Sequence, residues 1–93
     1  MAKQRTRPKP ARFHAKLKQI RLALGYSQNE MLSALGLAEK SNRSLISGFE
    51  LGTKEPNLLV ILKYAKLVNL STDYLLDDEL DLPDKLPLPK TSV

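Results

Sequence analysis

Residues 27–56, SQNEMLSALGLAEKSNRSLISGFELGTKEP, contain the strongest local signals in the chain and decide its fold. Ser27 and Glu30 have the S-x-x-E spacing of a capping box, which starts a helix, and Gly36 supplies the residue type that ends one. A second apolar stripe follows a polar stretch and stops at Gly52. The segment therefore predicts two short helices joined by a polar connection, the helix-turn-helix arrangement.

Apolar residues at helical spacing on both sides of this pair predict three more helices, so the expected fold class is all-α with five helices. Each helix has one face of large apolar side chains that we expect to be buried. These faces are Phe13, Leu17, Ile20 and Leu24; Met31, Leu32 and Leu35; Leu45, Ile46 and Phe49; Leu58, Ile61, Leu62, Ala65 and Val68; and Leu75 with Leu76.

Charge and proline content divide the chain into three parts. Residues 1–10 form a basic arm with two prolines, which we expect to be disordered. Residues 11–76 form the helix-turn-helix domain, and residues 77–93 form an acidic, proline-containing tail. The formal net charge of +5 suits a polyanion partner for the arm and the domain, although a basic arm can equally be a solvated terminus.

Composition argues against several classes of protein. The chain has no Cys, which excludes a disulfide scaffold and any Cys-based zinc site. No apolar run approaches the ~20 residues of a membrane span, and no apolar segment follows the basic N-terminus, so we expect a cytoplasmic protein without a membrane partner. His14 has no second ligand at metal-binding spacing and is expected to be an exposed helix residue. No catalytic, cofactor-binding or metal motif is present, so an enzyme is not expected.

Five short motifs occur in order along residues 16–76. They are Ser27-Gln28-x-Glu30; Leu35-Gly36-Leu37; Ile46-Ser47-Gly48-Phe49-Glu50-x-Gly52; Lys54-Glu55-Pro56-x-Leu58; and Leu70-Ser71-x-Asp73-Tyr74-Leu75-Leu76. Together they resemble the lambda-repressor-like, Xre-type helix-turn-helix family of DNA-binding proteins. The resemblance implies five helices around one core, with the third helix lying in the major groove of double-stranded DNA.

The spacing between Gly36 and Glu50 departs from the family pattern, because several extra residues lie within residues 37–44. One interpretation is a longer surface turn, which costs little because closure entropy grows slowly with loop length. The other is a longer start to the third helix, with Lys40 and Ser41 as additional DNA contacts. We prefer the first interpretation.

Alignment backwards from Glu50 to the family pattern implies that Asn42, Arg43, Ser44 and Ser47 face the bases. Arg can fork onto guanine, Asn onto adenine, and Ser onto several base edges. Other roles are open for each residue. Asn42, or Ser41 before it, suits the N-cap of the third helix, and Arg43 could contact phosphate instead of a base.

Phosphate contacts are expected from Ser27 and Gln28 at the start of the second helix, where free N–H groups favour an anion. Lys54, after the third helix, is the other candidate, although a solvated lysine is also possible there. Gly48 occupies a position where the family often has a longer polar side chain. It cannot read a base, but it permits close approach of a backbone.

Leu59 and Leu67 fall outside the expected inner face of the fourth helix, and Tyr64 and Tyr74 have polar tips suited to an interface. We therefore predict a homodimer through the end of the fourth helix and the fifth helix, with Leu59, Leu67 and Tyr74 in the interface, on a palindromic site. The alternative is a monomer in which the tail folds over these side chains. The tail residues suited to that are Leu80, Leu82, Leu86 and Leu88.

The sequence favours a sequence-specific transcriptional regulator, a repressor, without cofactor. One alternative is an antitoxin that binds a protein partner and represses its own operon. Another is a protein-interaction module that kept the fold and lost DNA contact.

Overall fold

The computed structural model describes residues 12–83, and this part of the chain contains five α-helices and no strand. The helices are α1 (Phe13–Leu24), α2 (Gln28–Ala34), α3 (Arg43–Leu51), α4 (Leu58–Leu67) and α5 (Asp73–Leu76). The predicted all-α, five-helix class is confirmed. The expectations for the arm, residues 1–10, and for residues 84–93 of the tail lie outside the described residues.

Local side-chain caps set the starts of three helices. Ser27 and Glu30 form the predicted capping box, since the Ser27 Oγ accepts from the Glu30 N–H at 3.0 Å and the Glu30 carboxylate accepts from the Ser27 N–H at 2.7 Å. Asn42 Oδ1 accepts from the Ser44 N–H at 3.0 Å, and Asn57 Oδ1 does the same for Val60 of α4. These bonds satisfy N–H groups that a helix leaves without internal partners.

The extra residues before α3 form a turn outside the helix. The N–H groups of Lys40 and Ser41 both donate to the Leu37 carbonyl, at 3.1 and 3.0 Å, and the chain then extends to the Asn42 cap. The longer-turn interpretation is therefore confirmed, and α3 begins at Arg43. Lys40 and Ser41 lie before the helix instead of lengthening it.

The core is formed by one face of each helix. Its buried apolar side chains are Phe13, Leu17 and Ile20; Met31, Leu32 and Leu35; Ile46 and Phe49; Val60, Ile61, Tyr64, Ala65 and Val68; and Leu75. The predicted faces of α1, α2 and α3 are confirmed, with Leu24 and Leu45 partly buried at the edge of the core.

The predicted inner face of α4 is wrong in part. Leu58 is 79% exposed and Leu62 is 40% exposed, whereas Val60 and Tyr64 are buried. The sequence of α4, LLVILKYAKL, is apolar on nearly every side of its first two turns, so periodicity could not select the face. Tyr64, expected near an interface, belongs to the core, and Leu76 at the end of α5 is partly exposed.

A buried lysine fastens the segment after α5 to α1. Lys16 is only 1% exposed, and its ammonium donates to the carbonyls of Tyr74, Asp77 and Leu80 at 2.7, 2.9 and 2.6 Å. A cation suits this position because the C-terminal carbonyls of a helix carry partial negative charge. Burial, followed by repulsion from Arg12, lowers the pKa of Lys16.

The acidic residues that follow α5 contact the start of α1. The Arg12 backbone N–H donates to the Asp78 carboxylate at 3.0 Å, and its guanidinium donates to the Asp78 carbonyl at 2.6 Å and to the Asp81 carboxylate. Leu82 packs against the core. Residues 77–83 therefore add to the packed body of the protein.

Tyr64 should make stability pH-dependent at alkaline pH. Burial, and then the nearby Glu50 charge, raise the pKa of Tyr64 above its ordinary value. The unfolded chain should therefore release this proton first, near pH ~10, and the free energy of unfolding should fall above that pH by up to ~1.4 kcal/mol per unit. The free energy of unfolding of the Tyr64→Phe variant should fall less steeply with pH.

Urea unfolding of both proteins from about pH 8 to about pH 11 tests this, because every other titrating group is shared and cancels in the difference. Equal slopes for the two proteins would contradict the assignment.

Candidate nucleic-acid interface

The outer face of α3 presents the predicted base-reading residues. Arg43 and Ser44 are exposed in its first turn, and Ser47 is half-buried one turn later. Arg43, Ser47 and Leu51 are four residues apart and form one row along the helix. Leu51 extends the row as an exposed apolar side chain at the C-terminal end of α3.

Asn42 caps α3, which settles one of the two roles that the sequence left open. Its Oδ1 accepts from the N–H and from the hydroxyl of Ser44. The cap uses only the oxygen, so the amide nitrogen of Asn42 is outside it. The Ser44 hydroxyl donates its proton to Asn42, so the Ser44 oxygen can still accept a hydrogen bond.

The first turn of α3 is positively charged. The first turn contains no acidic residue, and Arg43 stands there at the positive end of the helix dipole. That placement is unfavourable for helix stability but attracts an anion, because both the dipole and the guanidinium are positive. Among residues 12–83, no carboxylate pairs with Arg43.

A buried ion pair fixes α3 against α1. The Arg21 guanidinium donates to both carboxylate oxygens of Glu50, at 2.7 and 3.1 Å, and also to the Tyr26 carbonyl at 3.0 Å. The side chains are only 11% and 5% exposed. The hydrogen bond to Glu50 raises the pKa of Arg21.

Sequence reasoning missed this pair. The available signal was that Glu50 is the acid of α3, and that Arg21 directly follows the buried Ile20 in α1.

The predicted phosphate-contacting residues of α2 lie beside this pair. The Gln28 amide donates to Glu50 at 3.5 Å and shares a surface groove with Lys18, Ser47 and Leu51. The structure therefore brings Gln28 together with Ser47 on the outer face of α3. Ser27 is exposed one residue earlier, with its hydroxyl oxygen engaged in the capping box.

Lys54 is held against α3 although it belongs to the loop after it. The N–H groups of Gly52, Thr53 and Lys54 all donate to the Gly48 carbonyl, at 3.0, 3.0 and 3.1 Å. The aliphatic part of the Lys54 side chain lies directly beside Gly48, and the residue is exposed. Lys54 is thus placed at the surface of α3.

The expectation that His14 is simply exposed is wrong. His14 is half-buried, and its Nδ1 donates to the Phe49 carbonyl at 2.7 Å, while its Nε2 lies 3.5 Å from the Glu55 carboxylate. It joins α1 to the C-terminal end of α3 and to the following loop. A lone histidine in a sequence does not reveal such a contact, because its partner is a backbone carbonyl 35 residues away.

Comparison with known proteins identifies the family. A helix-turn-helix domain family matches residues 15–80, which is most of the chain and covers α2 to α5 and all of α1 but its first two residues. The protein belongs to the helix-turn-helix family. The resemblance to its Xre-type branch, inferred above from five motifs, is confirmed.

One curated relative of this helix-turn-helix protein is the SPbeta prophage-derived uncharacterized HTH-type transcriptional regulator YonR of Bacillus subtilis (strain 168). The two are 32% identical over 84 residues, which cover 87% of this chain and 74% of the relative. No solved structure matches the chain.

Two features are absent from residues 12–83 of this helix-turn-helix protein. None of the helices in this range combines the length and the apolar character that crossing a membrane requires. The same range has no cluster of three or more His, Cys, Asp or Glu side chains positioned for a metal ion.

Breaking the buried ion pair should destabilise the helix-turn-helix domain strongly. Arg21→Met leaves the Glu50 carboxylate buried without its partner, which costs ~3–5 kcal/mol in comparable sites. Urea unfolding measures the loss. Arg12→Met is the control, because it removes only exposed contacts, namely a hydrogen bond to the Asp78 carbonyl and an ion pair with Asp81 that is worth at most about 1 kcal/mol.

The double variant Arg21→Met with Glu50→Leu should recover most of the loss, since it removes both charges and keeps apolar volume. A double variant no more stable than Arg21→Met would contradict the account based on an unpaired buried charge.

Proposed function

We propose that the protein is a sequence-specific regulator of transcription that binds double-stranded DNA, acts as a repressor, and reads the major groove with α3. The outer face of α3, on which Arg43, Ser44 and Leu51 are exposed, is the observation that supports this most directly. The helix-turn-helix family membership and the relative described as an HTH-type transcriptional regulator support it further.

Base reading is proposed for Asn42, Arg43, Ser44 and Ser47. Arg43 has the greatest reach and the donor geometry for guanine, and the Asn42 amide nitrogen can donate to a base edge while its oxygen caps the helix. The two serines can contact a base edge or a phosphate. Specificity is then concentrated at the N-terminal end of α3.

Phosphate contacts are proposed for Ser27, Gln28 and Lys54, which lie on either side of the reading face. Gln28 borders the groove beside Ser47, and Lys54 lies on α3 itself. Contacts on both sides would fix the orientation of α3 on the duplex without reading sequence. Lys40 and Ser41, in the turn before α3, are additional candidates.

A homodimer on a palindromic site is proposed, with two copies of α3 in successive major grooves about 34 Å apart. Leu59 is 70% exposed, and the exposed Leu58 and Leu62 adjoin it on α4. Leu67 and Tyr74, the other residues predicted for the interface, are half-buried and packed against the core. Leu59 is therefore the anchor of the proposed interface, and the dimer would act by occluding a promoter.

The first experiment measures binding to DNA selected from a random pool, across a salt series. Affinity should fall with salt, with a log–log slope of about −0.9 per phosphate contacted. Arg43→Ala should lose ~1–3 kcal/mol of discrimination at one base pair, because one bidentate contact disappears.

Lys66→Ala, which removes an equal charge from the exposed side of α4, is the matched control and should retain full discrimination. If Arg43→Ala weakens binding to all DNA sequences by the same factor, Arg43 contacts a phosphate instead of a base. Absence of binding by the wild-type protein at low salt would refute the proposed function.

The second experiment concerns the dimer. Leu59→Glu should shift the protein to monomer in sedimentation equilibrium, because a carboxylate placed in an apolar interface is desolvated. Leu22→Glu is the matched control, as it alters a leucine that is 59% exposed on α1. A wild-type monomer at high micromolar concentration, or equal effects of both variants, would count against this interface.

A further inference from the structure

Gly48 leaves a space on α3 that the Lys54 side chain fills. A Cβ built on Gly48 would lie 2.7 Å from both Cγ and Cδ of Lys54, and 3.1 Å from its Cβ. Carbon atoms that are not bonded to each other make optimal contact at about 3.5–4.0 Å, so the space cannot hold both a residue-48 side chain and the lysine where it now lies. The absence of a side chain at Gly48 is what admits Lys54.

The backbone reinforces this arrangement. The Gly48 carbonyl accepts three successive N–H groups, including that of Lys54, and Gly52 turns the chain through a left-handed conformation with φ of 84°. The Cα of Lys54 is therefore fixed relative to α3. Its side chain starts from a defined point and runs across the helix instead of extending freely from a loop.

The aliphatic part of the Lys54 side chain packs at a position of α3 that adjoins the proposed reading residues. Gly48 is one helical turn after Ser44, and the two share a row on α3. The Lys54 methylenes thus continue the row that begins with Ser44. Lys54 is exposed to solvent.

We propose that Gly48 is a positioning residue, which seats Lys54 on the outer face of α3 so that its ammonium contacts a DNA phosphate as part of that face. This inference rests on the proposed function and adds a residue to it. A lysine held in this way loses less conformational freedom on binding than one that is free in a loop, where its side-chain entropy is up to ~2 kcal/mol. Gly48 contributes by its size, without touching DNA.

The rival explanation is that Gly48 serves only the close turn of residues 52–54. A double-variant cycle separates the two explanations. Gly48→Ala, Lys54→Ala and the double variant are compared on one selected DNA site across a salt series. We expect each single variant to flatten the salt slope by about 0.9, the value for one phosphate. The double variant should bind no more weakly than Lys54→Ala alone.

Controls address folding and additivity. Gly48→Ala adds a residue with higher helix propensity, so circular dichroism should show an intact fold. Lys54→Met keeps the apolar stem and removes the charge, and should flatten the salt slope like Lys54→Ala. The effects of Gly48→Ala and Lys66→Ala on DNA-binding free energy should add, because Lys66 is on α4. The proposal is overturned if Gly48→Ala weakens DNA binding by the same factor in the wild-type protein as in the Lys54→Ala variant.

One measurement needs no DNA. In the free protein, NMR should show proximity between the Gly48 α-protons and the Lys54 γ- and δ-protons, and Gly48→Ala should shift the Lys54 side-chain resonances. Absence of both signals overturns the seating of Lys54 by itself. If both are present but the wild-type protein binds no DNA at low salt, the proposed function fails and the phosphate contact fails with it.

Discussion

The arrangement of the helices depends on the ion pair between Arg21 and Glu50. The Arg21 guanidinium contacts both carboxylate oxygens of Glu50 and also the Tyr26 carbonyl. One side chain of α1 therefore connects that helix to α3 and to the residue before the α2 cap. A planar guanidinium bound by two parallel hydrogen bonds leaves little freedom of angle. Because the pair is buried, its desolvation must be offset by this geometry, and the helix-turn-helix unit is held in one orientation.

Two more polar side chains of α1 act on the ends of other helices. His14 donates to a carbonyl of the last turn of α3, and the Lys16 ammonium donates to three carbonyls at and beyond the end of α5. Each satisfies acceptors that a helix C-terminus leaves without partners. The polar contacts of α1 therefore engage the C-terminal part of α3, and Arg43 at its N-terminal end stays exposed.

Sequence predicted the features of this fold that are local. Caps such as Asn42 and the Ser27 box involve residues two or three apart, and the apolar faces of α1 to α3 are unambiguous. Two kinds of feature were not predictable. The face of α4 was ambiguous because its first turns are apolar all round. The roles of Arg21 and Lys16 were hidden because their partners are 29 and 58 or more residues away, and an isolated polar residue in a sequence looks like surface.

The composition of the α3 face has a consequence for how specificity would arise. Two of its outward residues are serines and a third position is Gly48, so only Arg43 and Asn42 have the reach for strong base contacts. Since Asn42 Oδ1 is used in the helix cap, only Arg43 can make a bidentate contact, and one copy of α3 then supplies about 1–3 kcal/mol of discrimination. Specific DNA binding commonly exceeds non-specific binding by ~4–10 kcal/mol. On the proposed function, a single domain therefore falls below that range, and two domains on a palindrome double the contribution to about 2–6 kcal/mol and reach its lower part. The scarcity of long polar side chains on the outer face of α3 is therefore itself a physical argument for the proposed dimer.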